Sequence, residues 1–424
     1  MSTISAGTTV TTALVASGDT NGNLVIKTGA SATTAATFNA NGSVTIANAT
    51  DFPAGTASAP AITTTGDTDT GIYFPTANQA AITTGGTVAA AFNSNGLFFR
   101  NRIINGDMRI DQRNAGASTT SGGYILDRWQ IIYGTGTLTS QQSTTVIPTG
   151  FTQSYGVTVT SAGTRLATDY FILTQLLEGL NISDLGFGAA GALTITLSFW
   201  VRSSVTGLYS GVLNSGDNNR SYGFTYSISV ANTWEKKTIT IPGDTSGGTT
   251  AYPVGTGTGM RLRLDLGSGT NYQTTADSWT ATTNKAGVAG TVGWAQTAGA
   301  TFYFTGVQFE SGSVATPFER RPYGTELMLC QRYYQFIGGT TNSFPLLGGY
   351  INTEVLRVPM IFPVQMRAAP TVTKNGTWNC VGIGQPSANY INNQGFSIEA
   401  TGTAAGFYMH PNSTDDTFTM RAEL

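Results

Sequence analysis

The stretch ALTITLSFWVR, residues 192–202, decides the fold. Leu193, Ile195, Leu197 and Phe199 are apolar, and only Thr and Ser stand between them. A period of two sends alternate side chains to opposite faces of a strand. This segment therefore reads as a strand with one face on a core. Similar runs occur at 156–160, 222–230, 235–241, 260–266 and 301–310, separated by clusters of Gly, Ser, Asn and Asp. Roughly six to nine such strands in about 220 residues suit a jelly-roll sandwich with long loops. One segment fits less well. YFILTQLLEGLNISDLG, residues 170–186, reads as a short helix or as a strand followed by a turn of helix.

Composition agrees with an all-β chain. Glycine contributes 53 of 424 residues, roughly twice the usual share of about 7%. Gly-rich turns between short Thr/Val/Ile/Phe runs are the signature of strands joined by tight loops. Only 10% of residues are charged, yet 21 Phe, 17 Tyr and 6 Trp argue against disorder, which comes with high charge and few aromatics. The net charge is −2 with no basic tract, so nucleic acid finds no electrostatic footprint. MSTISAGTTV, at the start, lacks the charged and apolar regions of a secretion signal. No apolar run approaches the roughly 20 residues of a transmembrane helix, so no membrane insertion is expected. Cys330 and Cys380 could pair in principle, but read as two ordinary small buried residues of a protein made in a reducing cytoplasm.

The first hundred residues echo themselves. ATFNANGSVTI (36–46) and AAFNSNGLFF (90–99) each place Asn-Gly between alternating runs, and Asn21-Gly22 precedes a third run, LVI. Asn-Gly suits a tight hairpin in which both central residues take positive φ. An isolated hairpin is marginal in water. Its apolar face needs cover, and the economical cover is the same hairpin from identical chains around one axis. The alternative is a small monomeric sheet domain. Asp67 and Asp69, in GDTDTG, read as turn-forming aspartates, because a calcium loop needs further acidic ligands and a closing Glu.

Few residues support catalysis. The single histidine, His410, has no G-x-S-x-G elbow to serve, and one His with two distant Cys makes no zinc site. No phosphate-binding loop follows a βα pattern. The expectation is no catalytic residue, no metal and no cofactor. Glycoside cleavage, which needs two carboxylates about 5–10 Å apart, remains an alternative, with Glu178, Asp184, Asp217, Asp244 and Asp265 as candidates.

Several longer motifs point to a family. TASAPAITTTGDTDTGIYFP, NRIINGDMRIDQRN, ILDRW, SFWVRSSVTGLYS, ANTWEKKTITIPGDTSG, VQFESGSVATPFERRPYGTELMLCQRYY and FPVQMRAAPTV are spread from residue 56 to 372. They resemble segments of bacteriophage tail fibres. That resemblance implies a trimeric β shaft, a jelly-roll β-sandwich head of carbohydrate-binding type, and a small β tip domain. The implied boundaries are 1–50 for virion attachment and the start of the shaft, 51–100 for the hairpin shaft, 101–322 for the head and 323–424 for the trimeric tip.

The implied partners are two further copies of the chain, a baseplate or tail protein at the N-terminus, and a host surface polysaccharide or lipopolysaccharide. The implied location is the virion, assembled in the host cytoplasm. Alternatives are a structural connector or decoration fibre and a glycan-depolymerising tail protein.

Sugar binding asks for aromatic faces flanked by polar groups. Trp129, Trp200 and Trp234 fall in or beside strands and read as core. Tyr252, Tyr272, Trp279 and Trp294 lie in the Gly/Thr/Asn-rich stretch 243–300 and are the loop candidates, with Tyr390 and Tyr408 on the tip as a second choice. The Arg320–Arg321 pair is expected to form salt bridges with Glu319 or Glu326.

Overall fold

The computed structural model describes residues 24–28, 33–46, 51–77, 79–92, 100–339, 355–402 and 408–424. The chain divides into two compact units, residues 1–74 with 83–87 and residues 75–82 with 88–424. Both are built from strands. The only α-helix among the described residues is Tyr323–Gln331.

In the first unit, Leu24–Thr28, Thr33–Phe38 and Val44–Ile46 form an antiparallel sheet. The turn at Asn41-Gly42 differs from expectation. Gly42 alone has positive φ (82°), and its N–H donates to the Asn39 carbonyl. The Asn41 side chain accepts from the Ser43 N–H and hydroxyl. An ordinary turn closed by a left-handed glycine therefore replaces the mirror-image turn. Phe38, Val44 and Ile46 are exposed. The other two Asn-Gly turns, at 21–22 and 95–96, lie outside the described residues, as does most of the expected attachment segment. Asp67 and Asp69 prove to be residues of a strand, Asp67–Tyr73, paired with Ile62–Thr64; the turn is left to Gly66, at φ 90°.

The second unit contains the head sandwich. One sheet has five strands in the order Thr137–Ser143, Ser154–Ser161, Thr301–Ser311, Ile195–Ser203, Glu235–Ile241. The other has seven, in the order Trp279–Thr280, Ser221–Ile228, Gly207–Ser215, Thr258–Asp265, Phe171–Glu178, Trp129–Tyr133, Gly123–Leu126. The strand pairs within both sheets are antiparallel. Ile195, Leu197, Phe199 and Val201 meet Leu173, Leu213, Phe224 and Leu262 in one core that also holds Trp129 and Phe304. Phe171–Glu178 is a strand followed by 3₁₀ turns at Gly179–Asn181 and Ser183–Leu185.

The tip has its own core of Phe362, Trp378, Phe396, Ile398, Phe418 and Met420 between small sheets. Ionic and aromatic contacts join it to the head. Arg332 grips the buried Glu178 carboxylate through Nε (2.9 Å) and Nη2 (2.6 Å), and the Tyr333 hydroxyl donates to the same group at 2.5 Å. Glu423 is bonded by Arg113 and Arg128, whose guanidinium carbons lie 3.9 Å from the Tyr334 ring centre and 3.6 Å from that of Tyr333. Arg321 pairs with Glu326 at 3.3 Å and Glu319 at 3.7 Å, as expected. Cys330 is buried and Cys380 half-buried, and both are free.

Asp127 lies under this seam, accepting from the Gln112 backbone N–H and side-chain amide. Burial pushes its carboxyl up to about 6, against the pull of Arg113. The folded state therefore binds this proton more tightly than the unfolded chain does. The resulting stability is fully present below about pH 4 and is lost as pH rises through about 6. The stability of the parent chain relative to the Asp127→Asn variant is expected to fall between pH 4 and 6, by up to about 1.4 kcal/mol per unit, and to level off above. Urea titrations at both pH values, followed by tryptophan fluorescence, check this; a constant difference refutes it.

Candidate functional site

Strand parity sorts the five-stranded sheet into two faces. Ile195, Leu197, Phe199 and Val201 point into the core, so Thr196, Ser198, Trp200 and Arg202 point out. Register extends the outward rows across neighbours. Gln141 stands beside Gly156, Gly156 beside Tyr303, and Tyr303 beside Arg202. In the next row, Thr305 stands beside Trp200 and Trp200 beside Lys236. Thr139 and Thr158 form a row on the far side.

One end of this face is closed. Residues 312–319 cover it, with Thr196 donating to the Gly312 carbonyl and Thr316 donating to Glu310. The other end is open. Trp200, Arg202, Tyr303, Gln141, Thr139 and Thr158 are half-buried, and Lys236 is exposed.

Glycines shape the open end. A Cβ on Gly156 would sit 2.7 Å from the Tyr303 ring, so that ring leans over bare backbone. Gly306, at φ 63°, makes a bulge whose hypothetical Cβ would meet Phe151 at 2.6 Å and Trp200 at 3.1 Å. The Arg202 guanidinium lies 5.6 Å from the Tyr303 ring centre and its Nε donates to the Asn232 carbonyl. Beside the bulge, Phe151 packs edge-on against Phe318, with Arg320 4.7 Å over Phe151. The face thus offers two aromatic rings, cationic edges, and hydroxyl and amide groups. Those are the elements that grip a sugar's apolar face and its hydroxyls.

The loop candidates are placed differently. Trp294 is 0% exposed, packs edge-on against Phe302 and donates to the Thr301 carbonyl. Tyr252 is 3% exposed; its hydroxyl donates to Asp244 at 2.9 Å, and burial beside that carboxylate raises its pKa far above the usual tyrosine range. Trp294 has no open side for a ligand, because its loop folds back onto the sandwich, and the expectation for it is corrected. Tyr252 is almost wholly covered and touches only the wall of a small pocket it shares with Ile182, Phe187 and Val254. Trp279 is half-buried against Phe187, Tyr222 and Tyr252, and donates to the Pro242 carbonyl. Tyr272 packs separately, edge-on to Tyr170. The four form no common surface.

On the tip, Tyr390 is 70% exposed. Tyr408 starts the strand Tyr408–His410, opposite Val381, and its side chain is outside the described residues. Trp129 is core, as expected, whereas Trp200 is not: it is out of phase with the apolar alternation and faces outward. That phase was the signal that would have found it.

The acidic candidates are engaged. Glu178 is held by Arg332, Asp184 by Arg102 at 2.5 Å, and Asp244 by Arg220 through two bonds of 2.7 Å. The Asp244 pKa is lowered, because Arg220 and the Ser246 and Tyr252 hydrogen bonds outweigh burial. Asp265 accepts from the Ser268 N–H through Oδ1 while its Oδ2 is buried without a hydrogen-bond partner, and Asp217 accepts from the Ser215 hydroxyl. Among the described residues no cluster of His, Cys, Asp or Glu fits a metal ion.

The fold defines the protein as a β-sandwich with an appended β tip. No family model and no curated protein matches its sequence. Solved structures similar to it include a domain of bacteriophage CBA120 tailspike protein 4. That match has 12% identity and a TM-score of 0.28, and covers 50% of this chain but 21% of the tailspike chain. A Bacteroides thetaiotaomicron protein described as sugar binding matches with 12% identity and a TM-score of 0.31, covering 50% of this chain and all of the other. The cellulose-binding domain of Cellulomonas fimi β-1,4-glucanase C matches with 14% identity and a TM-score of 0.25, over 48% of this chain and 99% of its own. Likeness at this level says nothing about ligand or assembly.

Proposed function

We propose that this chain is a tail-fibre protein of a bacteriophage that adheres, as a homotrimer, to a glycan of the bacterial surface. The observation that carries the glycan role is the open end of the five-stranded sheet, where Trp200 and Tyr303 stand among Arg202, Gln141, Thr158 and Lys236. The tail-fibre role is supported by the quoted motifs, and the trimer by the exposed Phe38, Val44 and Ile46 of a small sheet. The N-terminal segment would attach to a baseplate or tail protein. The fibre holds its ligand without cleaving it, a reading supported by the arginine partners of Glu178, Asp184 and Asp244.

The test is binding of the purified full chain to arrayed bacterial lipopolysaccharides and capsular polysaccharides. Saturable binding to at least one is expected. Trp200→Ala with Tyr303→Ala is expected to lower single-site affinity by roughly ten- to a hundredfold, since each ring face contributes on the order of 1 kcal/mol beyond its buried area. The variant should keep its oligomeric state, because both side chains point away from the core. Absence of glycan binding, with assembly onto another virion protein, would instead make the chain a structural connector.

A further inference from the structure

The tip carries a second surface of the same chemical kind but a different charge character. Val355–Ile361, Gly395–Thr401 and Ser387–Asn389 form an antiparallel sheet. Leu356, Val358, Ile398 and Ala400 fill the tip core. The alternate residues face outward. Arg357 stands beside Glu399, and Glu399 beside Ser387. Pro359 stands beside Ser397, and Ser397 beside Asn389. Arg357 and Pro359 are exposed, and Ile361 at the end of the strand is 83% exposed.

Tyr390 follows directly on Asn389, and its backbone is unusual. Its φ is 53°, in the left-handed region that a bulky side chain rarely adopts. Asn or Gly would occupy this place without strain. A tyrosine held there, with 70% of its surface open, is best explained by a use for its ring. The Arg357 guanidinium lies 5.7 Å from the ring centre. Glu399 orients it by accepting from Nε at 2.6 Å, and accepts from the Asn389 amide at 2.9 Å with its other oxygen. Both Glu399 oxygens are thereby engaged. The Arg357 side chain is 50% exposed beside the ring, and it is Nε that is bonded to Glu399.

We propose that Tyr390 and Arg357 form a subsite for a carboxylate-bearing sugar, such as a hexuronate or a sialic acid unit. This rests on the glycan-binding role proposed above and adds a second, acid-selective point of contact. The planar fork of the guanidinium matches the two oxygens of a carboxylate. The Tyr390 ring takes the sugar's apolar face. Asn389 and Ser387 lie where hydroxyls would fall.

The experiment uses the full chain and two probes, an oligogalacturonate and an α-linked sialic acid oligomer, each with its carboxyl-reduced counterpart, in calorimetric titrations. Binding of at least one acidic probe is expected, weakened about tenfold or more by carboxyl reduction. Tyr390→Asn, which suits the left-handed backbone while removing the ring, and Arg357→Gln are each expected to weaken it about tenfold. Trp200→Ala with Tyr303→Ala serves as the head variant, and Val230→Ala, at an exposed position outside both surfaces, is expected to leave this binding unchanged. The subsite is refuted if neither acidic probe binds, if the reduced probes bind equally well, or if the tip variants have no effect. It is also refuted if Tyr390→Asn changes only the oligomeric state, which would make the ring a contact between copies. If the head variant alone abolishes binding, the tip subsite falls and the head platform stands.

Discussion

Replacing Glu423 by alanine is expected to cost about 3–5 kcal/mol of stability, because it strands buried positive charge. Arg128 is 1% exposed at its side chain and Arg113 is 6% exposed, and both are bonded to the Glu423 carboxylate. The interactions that remain to Arg128 include the Leu176 carbonyl, the Tyr333 ring and the Tyr124 hydroxyl, none of which neutralises a guanidinium. Glu423→Gln keeps the shape but loses the charge and should fall between parent and alanine variant. The urea midpoint, followed by tryptophan fluorescence, reads the effect. The Arg128→Met variant, combined with Glu423→Ala in a double-mutant cycle, should show strong coupling. A midpoint unchanged by Glu423→Ala would mean that Arg128 is not stranded, finding water or another carboxylate once Glu423 is gone.

Trp294→Ala is expected to destabilise the head by about 3–5 kcal/mol, by emptying a large volume that the sandwich cannot close. Its ring is fully buried against Phe302, and Ala295, which follows it, is buried in the same core. Trp279→Ala should cost less, since that ring is only half-buried at the margin. Thermal denaturation of the two variants separates these outcomes. Equal losses would contradict the placement of Trp294. Any fall in glycan binding by the Trp294 variant should track its unfolded fraction, in contrast to the Trp200/Tyr303 variant, which should lose binding while folded.

Much of the sandwich is legible in the sequence because the five-stranded sheet has one dry face and one wet one. Ile195–Ser203 and Glu235–Ile241 alternate, and alternation is visible without a structure. The seven-stranded sheet hides itself. All eight residues of Phe171–Glu178 are buried, so both faces look apolar and periodicity cannot separate helix from strand. Gly207–Ser215 is missed for a related reason. Its Gly211 has no room for a side chain, lying 2.3 Å from Phe224 and 2.5 Å from the Arg263 carbonyl when a Cβ is added. A strand of small residues there reads as a loop. The seam is less legible still, because Arg128 and Glu423 stand 295 positions apart and only folding brings them together.

The site shows the same division. Proximity in sequence favoured the aromatic loop residues, but Tyr252 and Trp294 became core because apolar loops seek cover. Trp200 reads as core although its phase, opposite to that of the apolar residues, carries the contrary signal. Tyr303 had no such signal, since its strand, Thr301–Ser311, is buried along nearly its whole length and bulges at Gly306.

Strand parity in Ile195–Ser203 has a consequence for how such a surface changes over generations. Leu197, Phe199 and Val201 answer to the core, while Trp200 and Arg202, one step away on the same strand, answer only to what lies outside. Trp200 and Arg202 can therefore be exchanged without disturbing folding, whereas Thr196 and Ser198, of the same parity, are buried under residues 312–319. Gly156 is the exception: it faces outward, yet any side chain there collides with Tyr303. Substitutions should accumulate at the open end of this strand and stall at that glycine, two strands away in Ser154–Ser161, so that rings and cations are exchanged while the floor beneath them stays the same.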